Sequence, residues 1–81
     1  MKRIKEFLQS RNEPFEEEGE SIKFGVFGKV SLKDFYCRIT KNYEFDWKTE
    51  IVSPYETRLM PSSGSINEVL AKIQVVFGMR R

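Results

Sequence analysis

Tyr43-Glu44-Phe45-Asp46-Trp47-Lys48-Thr49-Glu50-Ile51-Val52 is the stretch whose reading decides the fold of this chain. Side chains on an extended strand alternate between its two faces. Tyr43, Phe45, Trp47 and Ile51 then point one way, and Glu44, Asp46, Lys48 and Glu50 the other. The row of three aromatics is either half of a core or a platform on which bases could stack.

The residues just upstream favour the core. Phe35, Cys37 and Ile39 form an apolar face opposite Tyr36, Arg38 and Thr40. A two-residue turn at Lys41-Asn42 would put Thr40 against Tyr43 and lay Phe35, Cys37 and Ile39 beside Glu44, Asp46 and Lys48. A one-residue slip flips every side chain to the other face. A three-residue loop, Thr40-Lys41-Asn42, pairs Ile39 with Tyr43 instead and aligns the two apolar faces. Such loops end in a left-handed residue, which Asn tolerates. The expectation is therefore this loop, with Tyr43, Phe45 and Trp47 in the core.

Working outward, Ser21 to Phe27 alternates, with Ile22, Phe24 and Val26 on one face. Gly25 and Gly28 suggest a bulge or tight bend there, and Val30 and Leu32 continue the alternation. Gly19-Glu20 marks a turn. Phe15 to Glu18 reads as a short edge strand or a loop, its glutamates suiting an exposed edge. Ser53-Pro54 ends the central strand, and Tyr55 to Met60 could add one more, with Tyr55, Thr57 and Leu59 on one side. Residues 2–12 have helical spacing at Ile4, Phe7, Leu8 and Arg11, and Pro14 stops them. A second helix starts at Ser65, which forms a capping box with Glu68. It continues through Ile66, Val69, Leu70, Ile73, Val76 and Phe77, with Gly78 just past its end. This order predicts one α+β domain over residues 1–81 in two layers: an antiparallel sheet of three to four strands with an N-terminal and a C-terminal helix. Whether both helices cover the same face is open at this stage.

Composition narrows the chemistry. With 81 residues the core is small. Net charge is +2. Five of the acids, Glu13, Glu16, Glu17, Glu18 and Glu20, crowd into eight residues, so the rest of the chain is mildly basic. Cys37 is the only cysteine, which excludes an internal disulfide and favours a reducing compartment. The N-terminus lacks the apolar run of a signal peptide, and no apolar run is long enough to span a bilayer. A cytoplasmic protein without membrane contact is expected. Histidine is absent, which removes the commonest general base and zinc ligand. Cys37, mid-strand on an apolar face, reads as a core residue. No glycine-rich phosphate loop is present, and neither a cofactor nor a metal is expected.

Asp46-Trp47-Lys48 fits the carboxylate-x-lysine spacing of metal-dependent nucleases, with Asp34 and Glu6 as further acids. A chain with this many acids and lysines produces such spacing by chance, so a nuclease is a distant third reading and no catalytic residue is assigned. Basic residues offer a second reading: Lys2, Arg3, Lys5, Tyr36, Arg38, Lys48, Arg80 and Arg81 as a nucleic-acid surface. Glu44, Asp46 and Glu50 on the same predicted face would repel phosphates. The first reading is a non-catalytic module, an adaptor or inhibitor-like binder of another protein. Its candidate surface is Phe15, Glu16, Glu17 and Glu18 together with Tyr55, Arg58 and Met60, residue types of which several are common at interfaces. An exposed edge strand could also pair with a second copy of the chain.

Overall fold

A computed structural model describes residues 1–80. The elements run α1 (Lys2–Ser10), β1 (Phe15–Glu18), β2 (Ser21–Gly25), a 3-10 turn (Lys29–Ser31), β3 (Tyr36–Tyr43), β4 (Asp46–Val52), β5 (Thr57–Leu59) and α2 (Ile66–Gly78). The fold is α+β, with five strands rather than the expected three to four. Both ambiguous segments are strands, and they form the two edges. The sheet is an antiparallel meander in the order β1-β2-β3-β4-β5. No helix among the described residues is long and apolar enough to cross a membrane.

Both helices lie on one face of this sheet. Ile4 and Leu8 of α1 and Val69, Ile73 and Val76 of α2 join Ile22, Phe24, Val26, Cys37, Ile39 and Trp47 in one buried cluster. Burying each of the larger aliphatic side chains contributes roughly 1.5–3 kcal/mol. Phe77 ties the layers together. It stacks on Phe7 of α1 with centroids 6.2 Å apart and meets Phe24 of β2 edge-on at 5.5 Å.

The hairpin between β3 and β4 differs from the expected one in an instructive way. Thr40, Lys41 and Asn42 are not a loop: β3 continues to Tyr43, and the turn is Glu44-Phe45, between the paired residues Tyr43 and Asp46. A two-residue turn there would by itself set the apolar faces against each other. The register shifts between Lys41 and Tyr43, where Asn42 is the extra residue. Such a bulge restores the alternation, so Cys37 lies opposite Ile51, Ile39 opposite Thr49 and Lys41 opposite Trp47. The faces align as expected, by a different route. Trp47 is buried, but Tyr43 and Phe45 stand at the turn, 77% and 72% exposed. Their assignment to the core is overturned because the strand reverses three residues later than the loop argument places it.

Two other boundaries move. Helix α1 stops at Ser10, not residue 12, because Asn12 takes a left-handed conformation (φ 54°) and Glu13 N–H donates to the Leu8 carbonyl at 2.9 Å. Strand β2 stops at Gly25, and the alternation does not continue through Val30, which is 88% exposed. A Cβ on Gly25 would lie 1.9 Å from the Gly28 carbonyl oxygen, and Gly28 itself has φ 84°. Only a chain without side chains at both positions folds back this tightly. Ser31 holds the turn, accepting from Phe27 N–H at 2.8 Å and donating to the Gly28 carbonyl at 3.1 Å. At the other end of the chain, the Ser65 capping box forms as expected: its hydroxyl accepts from Glu68 N–H, and Gly64 N–H donates to the Glu68 carboxylate. Gly78 is the last helical residue rather than the first beyond, and Met79 caps it.

Arg80 fastens the chain's end to its middle. Its guanidinium donates to the Glu13 carboxylate at 2.6 Å and to the Val26 and Gly25 carbonyls, each at 2.8 Å. It also stacks 4.4 Å over the Phe77 ring. Glu13 is 7% exposed. Removing Arg80 leaves that carboxylate buried without its cation, the expensive half of a broken ion pair. Arg80→Ala should therefore cost about 2 kcal/mol or more, discounted for the partial exposure of the arginine, read from the urea midpoint. Cys37 is buried, and desolvation, helped by the Glu50 charge, pushes its thiol from 9.0 up to about 12. Because the folded state holds this proton more tightly, the thiol's contribution to stability is complete below about pH 9 and is lost as pH rises from there towards 12. The native protein should fail to react with a thiol reagent at pH 8 and react fully in denaturant.

Candidate functional site: an apolar cleft beside the fifth strand

Antiparallel pairing sorts the sheet residues by face. The side away from the helices carries Glu16 and Glu18, then Ser21 and Lys23, then Tyr36, Arg38 and Thr40, then Lys48, Glu50 and Val52, and last Thr57 and Leu59. This side satisfies its own charges. Lys23 meets Glu16 at 3.4 Å and Glu18 at 3.0 Å. Arg38 donates to Glu50 at 3.1 Å, and Lys48 lies 3.8 Å from the same carboxylate. The hydrogen bond to Glu18 raises the Lys23 pKa, and that to Glu50 raises the Arg38 pKa. Lys23 also sits 4.9 Å over the Tyr36 ring. Three cations and three carboxylates cancel one another in these pairs, and Asp46, at the turn end of the same face, adds one more negative charge.

The end of the sheet beyond Gly25, Tyr36 and Val52 is different. There the loop before β3, the end of β4, the start of β5 and the end of α2 enclose a cleft of about 310 Å³. Phe35, Ile51 and Met79 give it apolar walls, and Ser53, Glu56 and Arg58 form its polar rim. Phe35 continues outward to Phe27, with ring centroids 5.3 Å apart. Phe27 and Met79 are 49% and 46% exposed, and Tyr55, on the adjoining turn, is 95% exposed. Large apolar side chains gathered around a concavity are more informative than the same residues scattered singly.

Both loops beside the cleft are fixed by hydrogen bonds. The Gly25–Ser31 turn is held as described above. In the other, the Ser53 hydroxyl accepts from the N–H groups of Tyr55 and Glu56 at 3.4 and 3.1 Å and donates to the Glu56 carbonyl at 3.0 Å. Arg58 Nε donates to Glu56 at 2.9 Å. A surface held in place before binding loses little entropy on binding. The rim presents a hydroxyl occupied by backbone and a paired arginine and glutamate. What such a lining can do is take up an apolar side chain and orient it by one or two polar contacts.

The candidate residues fall in separate places. Tyr55 and Arg58 belong to this end. Met60 follows β5, half-buried, with its N–H on the Thr49 carbonyl at 2.9 Å. Phe15 is half-buried against the core at the opposite edge. Glu16 and Glu18 are held by Lys23, and Glu17 lies 2.9 Å from Lys5. Among the basic candidates, Tyr36, Arg38 and Lys48 share the open sheet face. Lys2 and Arg3 are exposed on α1, across the sheet from them. Arg80 is committed to its clamp, and Arg81 lies outside the described residues. Asp46 and Lys48 share a face, but Glu6 is on α1, and the described residues contain no group of three or more metal-binding side chains.

Sequence reasoning passed over Phe35, Ile51 and Met79 as a site. No local pattern joins them, since they come from three separate segments. No protein-family model matches the chain, and no curated protein or solved structure matches it.

The cleft depends on the tight turn at Gly25. Gly25→Ala should force the Gly28 carbonyl aside and lower the melting temperature by roughly 10 °C, the shift expected for one to a few kcal/mol in a domain of this size. Gly64→Ala should change it little, because a Cβ there meets nothing closer than the Phe45 carbonyl oxygen at 3.8 Å.

Proposed function

We propose that the protein is a non-catalytic binding module that docks another protein at the cleft beside β5. The observation that carries this reading is the cleft itself: apolar walls left open between loops that are already held by hydrogen bonds. Aromatic, methionine and arginine side chains are the types enriched at interfaces, and Phe27, Phe35, Tyr55, Arg58 and Met79 supply all three kinds. An apolar side chain of the partner fills the space between Phe35, Ile51 and Met79, and Arg58 with Glu56 sets its approach from the rim.

A nucleic-acid surface has less to support it. A polyanion needs cations that can exchange counterions for phosphates. Lys5, Arg38, Lys48 and Arg80 each lie in an ion pair within the chain, and Lys23, on the same open face, is held by two glutamates.

The test compares capture from extracts of the source cells by the wild-type protein, Phe27→Asp and Met79→Asp. Both positions are exposed, so both variants should keep the wild-type circular dichroism. Each should lose a partner that the wild type retains, with at least tenfold weaker binding, since a charge placed in an apolar contact costs more than the 1.4 kcal/mol that factor represents. Equal capture by folded variants would place the interaction elsewhere. Oligonucleotide retention that falls steeply with salt would instead favour the nucleic-acid reading.

A further inference from the structure

The sheet has two edges, and they are unlike. Strand β1 presents Glu16, Glu17 and Glu18, so a second copy laid along it would set carboxylates against carboxylates. Strand β5 carries one charge, Arg58, between Thr57 and Leu59. All three are exposed, Leu59 at 67%.

The hydrogen-bond phase of β5 follows from its pairing. Ser53 N–H donates to the Glu56 carbonyl and Met60 N–H to the Thr49 carbonyl, and Arg58 lies opposite Ile51 in the same phase. In an antiparallel ladder, alternate residues direct both main-chain groups to the same neighbour. The N–H and C=O groups of Thr57 and Leu59 therefore point away from β4, to the open edge.

We propose that β5 is a homodimer interface, in which two copies pair their fifth strands antiparallel about a two-fold axis at Arg58. In this register Thr57 lies opposite Leu59 of the second copy, and Leu59 opposite its Thr57. Each such pair exchanges two hydrogen bonds, so the outward groups of both strands are all used, four bonds in total. The contact is self-complementary, as a two-fold interface must be. Side chains follow. Leu59 and Thr57, opposite Glu50 and Val52 within their own sheet, meet on the face away from the helices and cover each other. On the helix side Arg58 faces its copy, an unfavourable pairing by itself. Each Arg58 carries its own Glu56 at 2.9 Å, and the second copy's Glu56 lies diagonally across. Two arginines and two glutamates thus form one neutral cluster. The result is a continuous ten-stranded sheet with two clefts beside the axis. This interface goes beyond the binding function above, and it is measured without any partner.

The experiment is sedimentation velocity on the purified full chain from micromolar to millimolar concentration. A three-residue strand makes a small contact, so the expected result is a reversible, concentration-dependent monomer–dimer exchange. Leu59→Pro removes an outward N–H without touching the ladder to β4, an edge position where proline is tolerated. It should sediment as a monomer throughout while keeping the wild-type circular dichroism. Arg58→Glu, which gathers four carboxylates at the axis, should also be monomeric, and the exchanged pair Glu56→Arg with Arg58→Glu should dimerise again. A wild type that remains monomeric at every concentration, or a folded Leu59→Pro that dimerises as the wild type does, would overturn the proposal.

Discussion

One extra residue, Asn42, keeps the two longest strands facing the same way. Tyr43 and Asp46 close a two-residue turn, and without the bulge Ile39 and Cys37 would share a side with Lys48 and Glu50. With it, Cys37, Ile39, Trp47, Thr49 and Ile51 fall on one face, beside Ile22 and Phe24 of β2. Both helices then have one apolar surface to cover. Asn42 is also placed to hold the turn, its side-chain amide 3.4 Å from the Asp46 carboxylate.

Covering one face with both helices leaves the other without a layer. The described residues place no layer on that side, and it is made of groups that satisfy one another. Lys23 between two glutamates, Arg38 and Lys48 on Glu50, and the Ser21–Thr40 hydroxyl pair at 2.8 Å all do this. Partly exposed pairs of this kind add modest stability, and the buried Glu50 is the member that most needs its cations. They fix the long side chains and cancel their charge, which is why a face rich in lysine and arginine is a poor match for a phosphate backbone.

Apolar surface remains uncovered at the ends of the strands instead. At one end, Gly25 and Gly28 turn the chain so sharply that Phe27 is carried out beside Phe35. Arg80 anchors the end of α2 to the same turn through the Gly25 and Val26 carbonyls. The cleft lies between these pieces, its shape set by the same contacts that close the fold. At the other end, Tyr43 and Phe45 project from the β3–β4 turn.

Much of this was legible in the sequence, and for local reasons. The two-fold period of residues 35–40 and 43–52 and the helical period of residues 66–77 depend only on which face each side chain meets. The capping box at Ser65 and the end of the first helix before Pro14 depend on neighbours within four residues. These determined an α+β chain of antiparallel strands between two helices, with Cys37, Ile39 and Trp47 inside. The tertiary structure decided the rest. A turn three residues further along with a bulge gives the same facing as a three-residue loop, so only pairing across the hairpin could place Tyr43 and Phe45 outside. Alternation at Val30 and Leu32 looked like strand until the contact of Gly25 with Gly28 bent the chain away. Arg80 read as part of a nucleic-acid surface, because its partners Glu13, Gly25 and Val26 lie more than fifty residues away. The cleft joins Phe35, Ile51, Arg58 and Met79 from four segments, and no period along one segment can report a distance between four.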